Sequence, residues 1–200
     1  MAAAHQSGAL RDQALRLIAQ AGLAELLNSR FGRHALVGST ALDLMTWRDI
    51  DIYVPVPSAE KQAFVDLLPD VHTTIASAGL TLIKATFNDE WALPRGDYGR
   101  GYYWGLRVAT LDTAIWKIDL WGWEPDTFQR KLEDHNRLAD ALSSADRELI
   151  LRLKMEAQGL PEFRRTITSW DVYHFVLDGR GSSLEELRAF CRARIDHGNA

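Results

Sequence analysis

Two short segments of the chain decide its fold: Val37-Gly38-Ser39 and, after nine intervening residues, Asp49-Ile50-Asp51-Ile52-Tyr53-Val54. The second segment alternates polar and apolar side chains, which is typical of a β-strand with one buried face. Its isoleucines and its valine then face the core. Asp49 and Asp51 share the opposite face, about 6.5 to 7 Å apart along the strand. Two carboxylates at this spacing can converge on a hard cation.

The neighbouring segments predict a small mixed sheet flanked by helices. An apolar residue recurs every three or four positions from Leu10 to Leu27, which predicts one amphipathic helix that ends near Asn28. A second helix is expected over residues 61–68, whereas residues 70–78 fit no single pattern. Further strands are predicted over residues 34–37, 80–87, 102–109 and 115–121, because these runs are short, apolar and rich in β-branched or aromatic residues.

The pattern changes to a helical period at Pro125. Apolar residues then recur at helical spacing, and residues 143–146, 169 and 182–185 carry signals of helix starts. We therefore predict an α/β (α+β) fold, with a catalytic domain over residues 1–125 and a helical domain over residues 126–200.

The composition excludes several classes of protein. With 46% hydrophobic and 25% charged residues in a chain of 200, the sequence is that of a globular protein. A net charge of -4 makes extended nucleic acid an unlikely partner, although a local basic patch could still hold a triphosphate. The single cysteine, Cys191, rules out an internal disulfide, and no signal peptide or bilayer-spanning segment is evident. These features predict a cytoplasmic protein without a membrane partner.

The residues Gly38, Ser39, Asp49 and Asp51 resemble the signature of the nucleotidyltransferase superfamily, in which a glycine-serine turn is followed by two acids that flank one apolar residue. The superfamily includes small antibiotic-modifying enzymes and minimal nucleotidyltransferases. The resemblance implies a nucleotidyltransferase-like fold and a third carboxylate from a later strand. Asp119 is the natural counterpart, because Lys117-Ile118-Asp119-Leu120-Trp121 repeats the alternating pattern. Asp112 competes with it, but is more easily interpreted as a helix cap.

The resemblance also implies a reaction. A nucleoside monophosphate would move from an NTP, such as ATP, to an acceptor hydroxyl, with release of pyrophosphate; the expected acceptor is a small molecule. Asp49, Asp51 and Asp119 would be the catalytic residues and would hold Mg²⁺, with two ions expected. Gly38 and Ser39 would bind the triphosphate, and Thr40 would either assist them or merely begin a helix.

Several alternatives stay open from the sequence alone. Trp121 is a candidate wall of the site. Arg48 either contacts phosphate or has a surface or packing role, and Arg95, Arg100 and Arg107 either attract the triphosphate or are simply solvated. The whole domain could also be a catalytically silent binding module, or the antitoxin-like member of a regulatory pair that holds a protein partner through its helical C-terminal part.

Overall fold

A five-stranded mixed sheet forms the centre of the molecule in the computed structural model, which describes residues 2–92, 99–143, 145–163 and 165–198. The strands are β1 (Ala35–Val37), β2 (Asp49–Pro55), β3 (Thr81–Asp89), β4 (Tyr102–Ala109) and β5 (Ile115–Trp123). Their order is β1-β2-β5-β4-β3; β2 and β5 are parallel, and the other neighbours are antiparallel. The architecture confirms the predicted α/β (α+β) fold class, with a small mixed sheet flanked by helices.

Five helices precede or interrupt the sheet in the described part of the chain. They are α1 (Ala2–Gln20), α2 (Leu23–Phe31), α3 (Gly38–Ala41), α4 (Lys61–Val65) and α5 (Leu67–Ser77), and a 3₁₀ turn lies at Ser58–Glu60. The prediction of one helix ending near Asn28 was wrong. Gly22 adopts φ +61°, a left-handed conformation that ends the first helix and lets the second begin in a new direction.

The ambiguous segment at residues 70–78 is helical. It belongs to α5, which follows α4 after a break at Asp66, so the predicted helix over residues 61–68 is in fact the junction of two helices. Three buried side chains, Leu67, Val71 and Ile75, place one face of α5 against the sheet. Their spacing is helical, but the polar residues among them hid the pattern.

The chain after the sheet is helical, as the sequence predicts. It forms α6 (Pro125–Leu142), α7 (Arg147–Gln158), α8 (Ser169–Leu177) and α9 (Leu184–Gly198). Pro125 occupies the first turn of α6, where a missing N–H is harmless. Asp146 caps α7, and Thr168 caps α8 through a capping box. The division into two domains at this boundary stays a prediction.

The largest apolar core lies on one face of the sheet. The inward-facing residues of β2 and β5 are buried there, and helices α1, α2, α4 and α5 cover them. A second cluster joins α7, α8 and α9, and includes Leu44 from the segment before β2. None of the helices in the described residues has the length and apolarity that a membrane crossing requires.

Candidate functional site

The parallel pairing of β2 with β5 gathers the three predicted carboxylates. Asp51 lies beside Asp119 in the register, and Asp49 lies beside Lys117. Because side chains alternate across a strand, all four of these residues are on the same face, opposite the apolar core. Asp112, the competing acid, is exposed in the β4–β5 turn, where Thr110 and the Ala114 N–H donate to its carboxylate.

Lys117 lies between two of the acids. Its ammonium is 3.2 Å from Asp49 Oδ1 and also forms an ion pair with Asp119. Burial lowers the pKa of Lys117, but the neighbouring charges of Asp49 and Asp119 outweigh burial and raise it. Lys117 therefore stays protonated. The sequence placed it on this face without giving it a role.

The acids repel one another in a partly buried setting. Burial raises the pKa of Asp51 to about 8, and the charges of Asp49 and Asp119 add to the shift. Burial also raises the pKa of Asp119, against the opposing effect of Lys117. The single ammonium of Lys117 does not neutralise all of the negative charge on this face. An added cation would therefore be attracted to it.

The glycine-serine turn adjoins the acids directly. Val37 pairs with Asp51 across β1 and β2, so Gly38 follows beside that carboxylate. Gly38 has φ +62°, and a Cβ at this position would lie only 3.0 Å from Asp51 Cγ. Only glycine fits both the backbone conformation and this close approach. The sequence predicted a glycine that admits phosphate; the structure shows that it also makes room for Asp51.

Ser39 and Thr40 differ in how their side chains are used. Ser39 is buried in the first turn of α3. Thr40 is also buried, and its hydroxyl donates to the Asp49 carbonyl oxygen at 3.2 Å. This bond fixes the start of β2. The role of both residues in phosphate binding stays a prediction, and for Thr40 the structure offers a positioning role that the sequence did not suggest.

Two aromatic residues orient the acids. Trp47 donates from its indole nitrogen to Asp49 Oδ2 at 2.9 Å, and Tyr103 donates from its hydroxyl to Asp119 Oδ1 at 2.8 Å. Gly105 makes the second bond possible, because a Cβ there would lie 2.6 Å from the Tyr103 hydroxyl oxygen. Sequence reasoning missed both residues. Tyr103 pairs with Trp121 and lies two residues from Gly105, which pairs with Asp119, so alternation along β4 would have placed it on the acid face.

Helix α7 holds the segment that joins the turn to the acids. Arg147 forms a 2.7 Å ion pair with Asp43, and the buried Lys154 ammonium donates to the Leu44 carbonyl. One turn later, Gln158 donates to the Thr46 hydroxyl at 2.6 Å. We call these three contacts the α7 clamp.

Lys154 lies on the buried face of α7, and its charge also interacts with those of Asp49 and Asp51 in the site. Its ammonium is 3.0 Å from the Tyr173 hydroxyl on α8. Burial lowers the pKa of Lys154 to about 7, although the charges of Asp51 and Asp49 oppose the shift. The signal in the sequence was its helical spacing from Ile150 and Ala157, both of which are buried.

The other candidates have varied positions. Trp121 stacks on Trp123, with ring centroids 4.7 Å apart and planes 5° apart, so its ring takes part in packing beside the site. Arg100 is exposed, and Arg95 lies outside the described residues. Arg48 and Arg107 both line a cavity of about 590 Å³ that also includes Lys117.

The carboxylates suit a metal in chemistry but not in their present spacing. Aspartate oxygens are the ligands that Mg²⁺ prefers. Across the described residues, however, no group of three or more histidine, cysteine, aspartate or glutamate side chains is already arranged to hold an ion. The ammonium of Lys117 occupies space between Asp49 and Asp119, and a cation that used both would need this side chain to move.

Comparisons with known proteins give a distant likeness. No family model and no curated protein matches the chain. Among solved structures, the chain is similar to terminal uridylyl transferase 4 from Trypanosoma brucei with bound UPU, at 13% identity and a TM-score of 0.40. The match covers 88% of this chain and 57% of the other, so this chain spans somewhat more than half the length of that transferase. A likeness this distant carries no information on activity, substrate or partner.

Proposed function

We propose that the protein is a Mg²⁺-dependent nucleotidyltransferase that moves a nucleoside monophosphate from an NTP to an acceptor hydroxyl, with a small molecule as acceptor. One observation carries the proposal. Asp49, Asp51 and Asp119 project from neighbouring parallel strands onto one face, beside the close-packed turn at Gly38. Three acids crowded together cost stability, and a cation that binds all of them offsets the cost.

Asp49, Asp51 and Asp119 would hold the Mg²⁺, once Lys117 moves aside. When bound, the metal supplies positive charge that neutralises the phosphates and the departing pyrophosphate. Lys117 would remain beside the site, where its ammonium can contact phosphate oxygens. Gly38 and Ser39 would lie along the triphosphate, with the glycine allowing close approach of the backbone.

The transfer itself requires one bond to form and one to break. The acceptor oxygen forms a bond to the α-phosphorus, the bond from that phosphorus to the bridging oxygen breaks, and pyrophosphate leaves with the electron pair. The hydroxyl proton needs a base. Asp119 is the candidate, because its carboxylate lies on the acid face beside Asp51, where the acceptor hydroxyl would meet the α-phosphorus.

The test replaces Asp51 by asparagine, which keeps size and removes charge. We expect Asp51→Asn to lose Mg²⁺-dependent pyrophosphate release from ATP and the other NTPs by at least about a hundredfold, a loss typical of removed electrostatic stabilisation. Asp112→Asn, which alters the exposed rival acid, should leave the rate unchanged. Thermal unfolding of both variants checks that they fold. Undiminished turnover in folded Asp51→Asn would refute the assignment.

A second candidate function is a binding module without catalysis, including an antitoxin-like regulatory partner. The observation in its favour is Lys117, whose ion pairs with Asp49 and Asp119 hold these two acids together without a metal. Calorimetry with Mg²⁺·ATP distinguishes the two. Heat of binding favours the transferase, whereas its absence together with a stoichiometric co-purifying protein favours the module.

A further inference from the structure

A cavity of about 590 Å³ lies beside the acid face, within the range usual for small-molecule sites. Helix α1 forms one wall through Leu10 and its neighbours, and strands β4 and β5 form the other through Arg107 and Lys117. Trp47 and Arg48, which directly precede β2, close one end. Lys117 belongs to both the cavity and the acid face, so the two are continuous.

The charged side chains that line the cavity are all positive, in a chain of net charge -4. Its lining, as far as the described residues show, contains three cations and no carboxylate: Arg48, Arg107 and Lys117. Arg107 and Lys117 pair across β4 and β5, although like charges in such positions repel. Lys117 is compensated by Asp49 and Asp119, whereas the guanidinium of Arg107 donates to the Leu106 carbonyl oxygen at 3.2 Å. An anion between the arginines would stabilise both.

The same cavity offers apolar surface. Ile115 is 55% exposed at the start of β5, and Leu10 and the indole ring of Trp47 also line the space. An exposed isoleucine beside an aromatic ring and two arginines suits a ligand with an apolar or aromatic part and an anionic group.

The acids separate one side of the cavity from the glycine-serine turn. In the sheet order β1-β2-β5-β4-β3, Gly38 follows β1, and Arg107 lies on β4. The acids of β2 and β5 lie between them. If the turn holds the triphosphate, the reacting phosphorus lies over the acids, and the part of the cavity formed by Arg107 and Lys117 lies on the side of Asp49 and Asp51 away from the turn, where an acceptor can approach.

We infer that this cavity binds the acceptor, and that the acceptor carries a phosphate group next to an apolar or aromatic part. The inference rests on the proposed function, because that function defines which ligand is the acceptor. Arg48 and Arg107 bind the phosphate, and Trp47 and Ile115 contact the apolar part. Guanidinium groups form paired hydrogen bonds to phosphate oxygens, which makes them suited to this role.

The test is calorimetry with phenyl phosphate, a probe that combines the two features. We expect the native chain to bind it, and Arg48→Gln and Arg107→Gln each to weaken binding about tenfold, as expected for a lost charge-assisted hydrogen bond. Arg137→Gln, which alters an exposed arginine on α6, is the matched control and should bind like the native chain. Phenol, which lacks the phosphate, should bind at least about tenfold more weakly.

A second titration tests whether the cavity binds the acceptor or the nucleotide. Phenyl phosphate should still bind to protein saturated with Mg²⁺·ATP, since the nucleotide occupies the opposite side of the acids. Displacement by Mg²⁺·ATP would overturn the inference and make the cavity part of the nucleotide site. Equal binding by native and arginine variants, or no binding at all, would also overturn it. The proposed function fails separately, through absent Mg²⁺-dependent pyrophosphate release by the native chain.

Discussion

The two faces of strands β2 and β5 contrast sharply, although they belong to the same backbone. On one face Ile50, Ile52 and Ile118 are at most 2% exposed and pack under the helices. On the other face, acids from both strands meet around a single lysine. The apolar face stabilises the fold. The acid face lowers the stability, because it brings like charges close together.

The contrast shows how a sheet can accommodate a site that lowers the stability of the fold. Alternation assigns each residue to one face, so the apolar and acidic residues are interleaved along the chain but separated in space. Burial of the isoleucines contributes about 2 kcal/mol each, which can offset the repulsion among the acids. Removing buried methyl groups from one face and removing a crowded charge from the other should therefore shift stability in opposite directions.

The largest effect is expected on the apolar face. Ile52→Ala should lower the free energy of unfolding by about 3 kcal/mol, because it removes buried methyl groups and leaves a cavity. Chemical denaturation measures the change. Ile83→Ala is the matched control, since Ile83 on β3 is 52% exposed, and it should change stability by less than about 0.5 kcal/mol. Equal losses in both variants would remove the contrast between buried and exposed positions.

The next effect has the opposite sign. Asp51→Asn should raise the free energy of unfolding by about 2 kcal/mol at pH 8 without divalent ions, because it removes a crowded charge. In the folded protein the pKa of Asp51 is about 8, above the value of about 3.9 in an unfolded chain. The folded state therefore keeps a proton that the unfolded state has lost, and native stability falls as pH rises between these values.

The gain from Asp51→Asn should accordingly be small at pH 5 and grow towards pH 8. Denaturation curves of both proteins at the two pH values measure it. Added Mg²⁺ should stabilise the native protein more than the variant, since the variant lacks one ligand. A gain that stayed constant with pH would show that Asp51 is not the group that titrates.

The smallest effect concerns a single hydrogen bond on the acid face. Tyr103→Phe should lower the free energy of unfolding by about 1 kcal/mol, because Asp119 loses one donor and keeps Lys117. A double-mutant cycle with Asp119→Asn isolates the contact. A coupling energy near zero would mean that the bond does not contribute in solution.

The alternation in the sequence predicted more of this site than of its surroundings. Local patterns place Asp49 and Asp51 on one face, and the Lys117-Ile118-Asp119 pattern predicts the same for Asp119. The register that sets Asp51 beside Asp119 comes from pairing of strands far apart in the chain, which local patterns do not encode. The role of Asp119 as the third carboxylate was predicted from a resemblance to a family. The structure places Asp119 beside Asp51 in the sheet.

The contacts that support the site were harder to predict. Tyr103 and Lys154 contact partners 16 and 110 residues away, which only tertiary packing defines. Trp47 contacts Asp49 only two residues later, but the alternating pattern of β2 does not indicate where the indole ring lies. The break at Gly22 was missed because the apolar period continues across it. A glycine inside a helical pattern is often tolerated, and only the backbone angle shows that this one ends a helix.

The α7 clamp has a practical consequence for dividing the chain. A fragment that stopped at residue 124 would keep the five strands of the described residues, but Asp43, Leu44 and Thr46 would lose the partners that Arg147, Lys154 and Gln158 supply. The linker before the acids would then be free to sample other conformations. Biochemical work on the sheet alone would thus study a loosened site, and expression of the whole length is the sound choice.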